Sequence, residues 1–265
     1  MIADQDFQRL LEYLDRPWAG YRKVRKGVKR RVRQHMEMLG CRRFDEYLDS
    51  IAGNPEARAA CEQRLMVTIS RFFRDRQLWE HLRAQILPRL MARFPQGLTA
   101  WSAGCANGEE PYSLVMLWEE LAAVTAVPGI RILATDGAAQ CIERARAGIY
   151  PAGSLKKVPE EMIERWFQKV HGARQYRIDD RLKERICWQV HQLLGTPPAG
   201  PFHMILLRNN LLTYYRGRPL QTAFARISAT VESGGVLIVG SHEHLPSSAL
   251  RWTRDPACSW VYWAA

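Results

Sequence analysis

Two glycines and two carboxylates stand together in the most informative segment of the chain, residues 101–113, which reads Trp-Ser-Ala-Gly-Cys-Ala-Asn-Gly-Glu-Glu-Pro-Tyr-Ser. The pattern predicts a strand that enters a glycine loop and continues as a helix. Gly104 and Gly108 permit a tight turn and a close approach of the backbone to a ligand. Glu109 and Glu110 at the helix start disfavour a bound pyrophosphate, because they would repel it. They favour a ligand with positive charge and hydroxyl groups.

A third acid follows at a suitable separation. Residues 131–136 predict the next strand, which ends at Asp136, 28 positions after Gly108. An acid at the tip of the second strand of a Rossmann-like unit commonly binds ribose hydroxyls. With the glycine loop, Asp136 suggests S-adenosylmethionine, whose amino acid and sulfonium carry positive charge. The alternative is purely structural: the two glutamates favour the helix dipole and Asp136 caps a helix.

Strands and helices alternate around these residues. The pattern predicts strands at 99–103 and 130–135 and helices at 110–123 and 138–147. Such alternation indicates a parallel sheet with right-handed crossover connections.

Composition narrows the class of protein. The chain has 265 residues, of which 47% are hydrophobic and 25% charged, as in an ordinary soluble protein. No run approaches the roughly 18 apolar residues of a membrane span, so no membrane insertion is expected. Six scattered cysteines without metal-ligand spacing favour reduced thiols, a cytoplasmic location and no metal site. His35, His81 and His171 also lack partner spacing and are expected at the surface.

Positive charge is concentrated near the start of the chain. The formal net charge is +11, and residues 16–43 hold eleven Lys or Arg against one acid, a local excess of +10. Apolar residues recur there at helical spacing, which predicts an amphipathic helix. Its cationic stripe, formed by Arg22, Lys26, Lys29 and Arg33, is a candidate surface for an acidic partner. A solvated face without a partner is the simpler alternative.

These motifs resemble those of a known family, the CheR-type methyltransferases that esterify glutamates of bacterial chemotaxis receptors. Residues 101–113 are close to the family's Trp-Ser-Ala-Gly-Cys-Ser-Thr-Gly-Glu-Glu-Pro-Tyr-Ser, and residues 68–74 are similar to its Asn-x-Thr-x-Phe-Phe-Arg signature. The resemblance covers nearly the whole chain. Weaker matches follow in chain order at 134–136, 147–150, 207–209 and 234–237.

The resemblance implies an α/β, Rossmann-like S-adenosylmethionine-dependent methyltransferase fold with a small all-helical N-terminal domain and a short β insertion. S-adenosyl-L-methionine is the implied cofactor, and S-adenosyl-L-homocysteine is its product. The implied partner is an acidic helical protein substrate such as a chemoreceptor signalling domain. Nucleic acid is a less expected partner, because only Trp18 and Tyr21 accompany the basic residues as stacking groups.

Domain boundaries follow from the same comparison. Residues 1–66 are expected to form the N-terminal helical domain with its basic docking helix. Residues 67–98 are expected to be a linker and a helix that lead into the core, and 99–265 the methyltransferase domain. Within that domain, β-like residues on either side of Asp179-Asp180 suggest a β subdomain at 174–190.

The resemblance also assigns roles to single residues. Arg74 and Tyr214 are the expected catalytic residues, with Arg74 near both the cofactor and the incoming carboxylate. Tyr214 fits the family's tyrosine position only with a one-residue shift, and without that shift Thr213 occupies it. The residues expected to bind the cofactor are Thr68, Ser70, Arg74, Ala103, Gly104, Glu110, Asp136, Gln192, Leu193, Arg208 and Asn209.

Several positions depart from the family pattern. Thr68 replaces an asparagine, Gly137 follows Asp136 directly, His203 replaces an aspartate and Leu207 replaces a cysteine. Two alternatives therefore stay open. One is a methyltransferase of the same fold that acts on a small molecule or RNA. The other is a regulatory module that binds the cofactor without turnover.

Overall fold

The computed structural model describes residues 2–172, 174–247 and 249–265. The chain divides into two compact units. A helical unit comprises Met1–Val67 with Asn210–Leu220, and an α/β unit comprises Thr68–Asn209 with Gln221–Ala265. Residues 210–220, which were expected in the methyltransferase domain, thus belong to the helical unit. Within the described ranges, no helix has both the length and the apolar character that a membrane crossing requires.

The helical unit is built on the apolar faces of short helices. Phe7, Leu10 and Leu11 on the first helix are buried against Val28 and Val32 on the third. Side chains with helical spacing thus supply one continuous core. The helices of this unit are α1 (Asp4–Tyr13), α2 (Trp18–Tyr21), α3 (Arg25–Met38), α4 (Phe44–Gly53) and α5 (Pro55–Leu65), and a later segment adds α12 (Leu211–Tyr214).

The basic segment forms two helices instead of one. Because α2 ends at Tyr21 and α3 begins at Arg25, Arg22 lies between them. The expectation of an exposed Lys29 is wrong: it is 8% exposed, and its Nζ lies 2.9 Å from the Asp4 carboxylate of α1. The exposed cations of this segment are Arg22, Lys23, Lys26, Arg30, Arg33, Arg42 and Arg43.

His35 lies in the interior, contrary to the expectation of a surface or cap residue, and His81 is partly buried at the end of α6 (Arg76–His81). His35 is 3% exposed, because it shares the buried face of α3, and its Nδ1 lies 2.9 Å from the Tyr47 hydroxyl. Burial, with a contribution from Arg64, lowers the pKa of His35. His81 keeps only 15% of its side chain exposed and its Nε2 lies 3.2 Å from Asp255. Both rings therefore serve packing and hydrogen bonding inside their units.

The α/β unit contains a central seven-stranded sheet and a separate three-stranded sheet. In chain order the strands are β1 (Leu98–Ala103), β2 (Ile130–Asp136), β3 (Ile149–Pro151), β4 (Phe167–Lys169), β5 (Gln175–Ile178), β6 (Ile186–Val190), β7 (Phe202–Leu207), β8 (Val231–Val239), β9 (Trp252–Arg254) and β10 (Val261–Ala264). The central order is β6-β2-β1-β7-β8-β10-β9, parallel up to β8 and antiparallel beyond it. The α/β, Rossmann-like fold is therefore confirmed.

Helices cover this sheet and connect its strands. Residues 76–93, which were expected to hold the helix that leads into the core, are helical and pack into the same core as the strands through Leu78, Leu82, Leu87 and Leu90. A π-helical segment at Leu82–Ile86 precedes Pro88, so the helical path continues past the proline. The helices are α6 (Arg76–His81), α7 (Leu87–Arg93), α8 (Glu109–Ala122), α9 (Ala139–Ala147), α10 (Glu160–Trp166), α11 (Asp180–Lys183) and α13 (Gly217–Ser228), whose first residues are counted with the helical unit.

The small sheet differs from the β subdomain suggested for residues 174–190. β5 pairs with β3 and β4, whereas β6 pairs with β2 in the central sheet. The reason lies between β5 and β6. Instead of a tight turn, Asp179 accepts a hydrogen bond from the Arg181 amide and starts α11. The suggestion is thus wrong for its second half.

The order of the strands places a crevice beside β1. From β1 the chain continues to β2 and later β6 on one side, and then returns to β7 on the other. Ligands of open α/β sheets bind at such a switch point, outside the carboxyl ends of the strands. Gly104 directly follows β1 and Arg208 directly follows β7, so both lie at this crevice.

Gly108 occupies a position that no other residue fits. Its φ is +91°, in the left-handed region, and it precedes the first residue of α8. A Cβ atom there would lie 2.8 Å from Ala145 Cβ and 2.8 Å from Trp188 Cη2. The glycine therefore lets the loop lie directly against α9 and β6.

We expect Gly108→Ala to lower the free energy of unfolding by about 3 kcal/mol, through backbone strain and overpacking. Gly129→Ala is the matched control, because no atom lies within 4 Å of the added Cβ. It should change stability by less than about 0.5 kcal/mol. Urea unfolding of both variants measures the difference, and equal effects would show that the loop tolerates a side chain.

Candidate active site

Asp136 ties the ends of β1 and β2 together. It is 6% exposed, and its carboxylate accepts hydrogen bonds of 2.9 Å from the amides of Ala106 and Ala138. Burial raises the pKa of Asp136, and the two amide donors oppose that rise. An ionised carboxylate has about four acceptor sites, so two remain for ligand hydroxyls. Asp136 thus occupies the position expected of a ribose-binding acid.

Glu110 has both carboxylate oxygens engaged by the protein. The Ser102 hydroxyl donates to Oε1 at 2.7 Å, and Arg208 Nη1 donates to Oε2 at 2.9 Å. Burial raises the pKa of Glu110, and Arg208 and Ser102 oppose that rise. The structure therefore gives Glu110 a partner on each oxygen, where the sequence assigned it to the cofactor.

Glu109 is the carboxylate with an unused oxygen. It is 3% exposed, and its buried Oε2 has no hydrogen-bond partner among the described residues. Burial raises the pKa of Glu109, and the hydroxyl of nearby Ser70 opposes that rise. An unpaired buried carboxylate oxygen is costly unless a donor satisfies it. A cationic ligand group would supply that donor.

The sequence could not separate the roles of these two glutamates. Adjacent residues at a helix start point in directions about 100° apart. Which one faces the crevice depends on Arg208 and Ser102, which lie far away in the sequence or on another element. The orphaned Oδ1 of Asn107 in the same loop is a second buried acceptor that sequence reasoning missed.

The segment before α6 brings further predicted residues to the loop. Thr68 lies near the Cys141 thiol of α9, and Ser70 lies near the Glu109 carboxylate. The guanidinium of Arg74 lies close enough to Glu110 to oppose the rise of its pKa. Thr68, Ser70 and Arg74 are therefore near α8, α9 and the glycine loop, and their binding of the cofactor stays a prediction.

The other predicted cofactor residues line the ends of the same strands. Ala103 ends β1, and the Gly104 amide donates to the Thr135 carbonyl at 2.8 Å. Leu193 is half-buried in the loop after β6. Their backbone positions form a cradle along the carboxyl edge of β1, β2 and β6.

Gln192 lies against Gly137, one of the departures from the family pattern. Its Nε2 donates to the Gly137 carbonyl at 3.2 Å. A Cβ at position 137 would lie 2.6 Å from Gln192 Oε1. The end of the exposed glutamine side chain would therefore have to move if residue 137 carried a side chain.

Asn209 is held in a strained conformation beside Arg208. Its φ is +56°, and its amide donates to Glu243 Oε2 at 2.7 Å. The same oxygen accepts the Gly240 amide at 2.6 Å. Glu243 therefore positions the loop after β7, a role that the order Ser241-His242-Glu243 did not reveal.

Tyr214 and Thr213 lie on α12 in the helical unit. The Tyr214 ring stands 5.0 Å from the Tyr21 ring, and its carbonyl accepts Arg16 Nη1 at 3.3 Å. The Thr213 carbonyl lies against Gly20, where a Cβ would approach it to 2.3 Å. The catalytic role of Tyr214 stays a prediction.

His203 has a structural role at the start of β7. Its Nδ1 accepts the Thr99 amide at 2.9 Å, and its ring lies 4.2 Å from that of Phe94. Arg208 follows the opposite end of the same strand. His203 therefore joins β7 to β1 far from the crevice, and its departure from the family pattern says nothing about the acceptor.

These residues fit S-adenosylmethionine. The orphaned oxygen of Glu109 suits a cationic group, Asp136 suits vicinal hydroxyls, and Gly104, whose φ is +83°, leaves the turn after β1 without a side chain. The switch-point loop on a mostly parallel sheet defines an S-adenosylmethionine-dependent methyltransferase.

Residues 68–259 match the family model described as CheR methyltransferase, SAM binding domain. The chain belongs to the CheR methyltransferase family. It is 32% identical to a probable chemotaxis protein methyltransferase of Rhizobium etli, over 84% of this chain and 85% of that protein. It is 32% identical to a chemotaxis protein methyltransferase of Listeria monocytogenes, over 70% of this chain and 68% of that one. Chemotaxis protein methyltransferase 1 of Pseudomonas aeruginosa is 28% identical, over 82% and 81%.

We expect Glu109→Gln to stabilise the ligand-free protein and to weaken S-adenosylhomocysteine binding about tenfold or more, as for loss of a charged hydrogen bond. The raised pKa of Glu109 means that the folded state binds this proton more tightly than the unfolded chain. Ionised Glu109 therefore costs stability above its pKa. The gain in melting temperature should be present at pH 8 and should shrink as the pH falls through that raised pKa.

Glu161→Gln is the matched control, because Glu161 is an exposed first-turn acid of α10. Its loss should cost about 0.3–1 kcal/mol of dipole stabilisation and leave ligand binding unchanged. Thermal unfolding and calorimetry compare the two variants. If Glu109→Gln behaves like Glu161→Gln in both measurements, Glu109 serves only the helix.

Proposed function

We propose that this chain transfers a methyl group to glutamate side chains of an acidic helical protein of the chemoreceptor type, in the cytoplasm. The observation that supports the proposal is that Arg74 lies close to the carboxylate of Glu110, which follows the loop after β1. A guanidinium at this place can hold an incoming carboxylate in one orientation. The printed names of the relatives, chemotaxis protein methyltransferases, support the same acceptor.

The proposed reaction needs little acid–base chemistry from the protein. A glutamate side chain is ionised at neutral pH and is its own nucleophile. The cofactor, when bound, supplies a methyl group activated by a positively charged sulfur. Glu109, Asp136 and the glycine loop would hold it, and Arg74 would align the acceptor carboxylate. Orientation and exclusion of water account for the rate in such a site.

Replacement of Arg74 tests the proposal directly. With methyl-labelled S-adenosylmethionine and the cytoplasmic signalling domain of a bacterial chemoreceptor, the wild-type chain should form base-labile methyl esters. Arg74→Ala should lower kcat/KM about 100-fold, because the carboxylate loses its orienting group. Arg71→Ala, an exposed arginine three residues earlier, should leave the rate unchanged. A base-stable product, or equal rates for the two variants, would reject a glutamate ester held by Arg74.

The exposed cations of the helical unit are the proposed docking surface for the acidic target. Lys26, Arg30 and Arg33 follow one another at helical spacing on α3, and Arg33 also pairs with Glu37 at 2.8 Å. Lys29 is excluded from this surface by its contact with Asp4. Attraction between opposite charges of this kind raises the association rate and weakens with salt.

We expect Lys26→Glu with Arg30→Glu to raise KM for the signalling domain about tenfold at low salt and to flatten its salt dependence. kcat should stay unchanged, because no contact near the glycine loop is altered. Lys157→Glu, at an exposed lysine of the α/β unit, is the control for net charge. A KM that responds equally to both changes would place docking elsewhere.

The alternative acceptors have their own outcomes in the same assays. Incorporation of label into RNA that is lost with ribonuclease would favour an RNA methyltransferase. A chain that binds S-adenosylhomocysteine tightly, yet transfers no methyl group to protein, RNA or small molecules of a cell extract, would be a regulatory module. The structural role of His203 removes one reason for preferring these readings.

A further inference from the structure

We propose that Arg208 is a positioning residue that fixes Arg74 for the methyl acceptor and does not bind the cofactor. The inference rests on the proposed role of Arg74. It departs from the sequence expectation, which placed Arg208 among the cofactor ligands.

Both terminal nitrogens of the Arg208 guanidinium are engaged by the protein. Nη1 donates to Glu110 Oε2 at 2.9 Å. Nη2 donates to Asp75 Oδ2 at 2.7 Å and to the Arg74 carbonyl at 3.2 Å. Nε is buried without a partner among the described residues, and only 2% of the side chain is exposed. The two terminal nitrogens of this buried side chain are therefore directed to Glu110 and to residues 74 and 75.

Residues 73–75, which Arg208 contacts, have a strained backbone conformation that the surrounding structure must stabilise. Phe73 and Asp75 both have positive φ values, +48° and +63°, which residues other than glycine rarely adopt. Such conformations persist where the surroundings over-determine them. Arg74 lies between these two residues, so the direction of its side chain depends on both.

Four hydrogen bonds supply that support. The Phe73 amide donates to the Ser113 hydroxyl at 3.0 Å. The Arg74 carbonyl accepts from Trp79 Nε1 at 2.8 Å as well as from Arg208. Asp75 precedes α6 but its side chain does not cap the helix, so its carboxylate is left to pair with Arg208. The Arg74 side chain itself donates a long hydrogen bond, 3.5 Å, to the Ile69 carbonyl.

Arg208 is anchored by the buried end of a strand in the central sheet. It directly follows β7, whose last residues are completely buried, and it reaches both α8 through Glu110 and the start of α6 through Asp75. A planar guanidinium presents two separate nitrogens to two carboxylates at fixed angles, whereas a lysine has one nitrogen on a flexible stem. The end of one strand thereby sets the place of Arg74 relative to the glycine loop.

Two variants test the proposal. Arg208→Lys keeps the charge but replaces the two terminal nitrogens, which hold the two acids, with one. Asp75→Asn removes the charge that pairs with Arg208 Nη2 and leaves the pair between Arg208 and Glu110 in place. Asparagine tolerates the left-handed conformation at this position. Asp75 keeps 25% of its side chain exposed, so this variant should fold. Glu119→Gln is the control, because it breaks a 2.8 Å ion pair with Arg185 outside the crevice.

Three measurements are made on the full chain: the Kd of S-adenosylhomocysteine by calorimetry, kcat and KM with the chemoreceptor signalling domain, and amide hydrogen exchange of residues 72–79. For Arg208→Lys we expect kcat to fall about 100-fold, as for a misplaced orienting group, while Kd stays within about threefold. Exchange in residues 72–79 should rise. Asp75→Asn should change the same quantities in the same direction, and the double variant should be no worse than Arg208→Lys.

Other results overturn the proposal. A Kd that rises more than tenfold with little change in kcat would make Arg208 a cofactor ligand. Unchanged exchange in residues 72–79 for both variants would mean that Arg208 does not fix Arg74. If the wild-type chain does not methylate the signalling domain, the proposed acceptor fails by itself, while calorimetry and hydrogen exchange still decide the role of Arg208.

Discussion

The carboxylate of Asp136 is the constraint on which the crevice depends. It joins the tip of β2 to the amide of Ala106 in the loop after β1, at a place where water is almost excluded. Parallel strands place their carboxyl ends at one edge, but they do not by themselves fix the loops there. The Asp136 bond does so, and Gly108 allows the same loop to lie against α9 and β6. A buried carboxylate that holds backbone donors and keeps acceptor sites free is prepared for a hydroxylated ligand before the ligand arrives.

Features that depend on local sequence could be predicted well. The glycine loop, the acid at the end of β2 and the alternation of strands and helices are each contained within a few dozen residues. The strand predicted at 99–103 is observed as Leu98–Ala103, and the one at 130–135 as Ile130–Asp136. Hydrophobic periodicity and turn residues determine such elements, because backbone geometry sets both periods.

Features that depend on partners far away in the sequence could not be predicted. The spacing of Lys29 predicts an exposed position in the cationic stripe, but in the fold it pairs with Asp4 of α1. Glu109 and Glu110 are the same residue type, and their roles differ because Arg208, 98 residues from Glu110, pairs with Glu110. β6 has the pattern of a hairpin strand, yet it pairs with β2. In each case the deciding contact is non-local, and no periodicity in the sequence reports it.

The helical unit combines two distant segments of the chain, and this has a consequence during synthesis. The buried residues of its apolar cluster all lie between positions 2 and 65, and Tyr214, beside Tyr21, packs against that cluster from a segment that follows most strands of the α/β unit. A ribosome that has released the first 67 residues has therefore delivered every buried residue of the cluster, but not the segment that covers part of it. Removal of the region matched by the family model would take that segment away. The helical unit is thus completed only after most of the α/β unit has been synthesised.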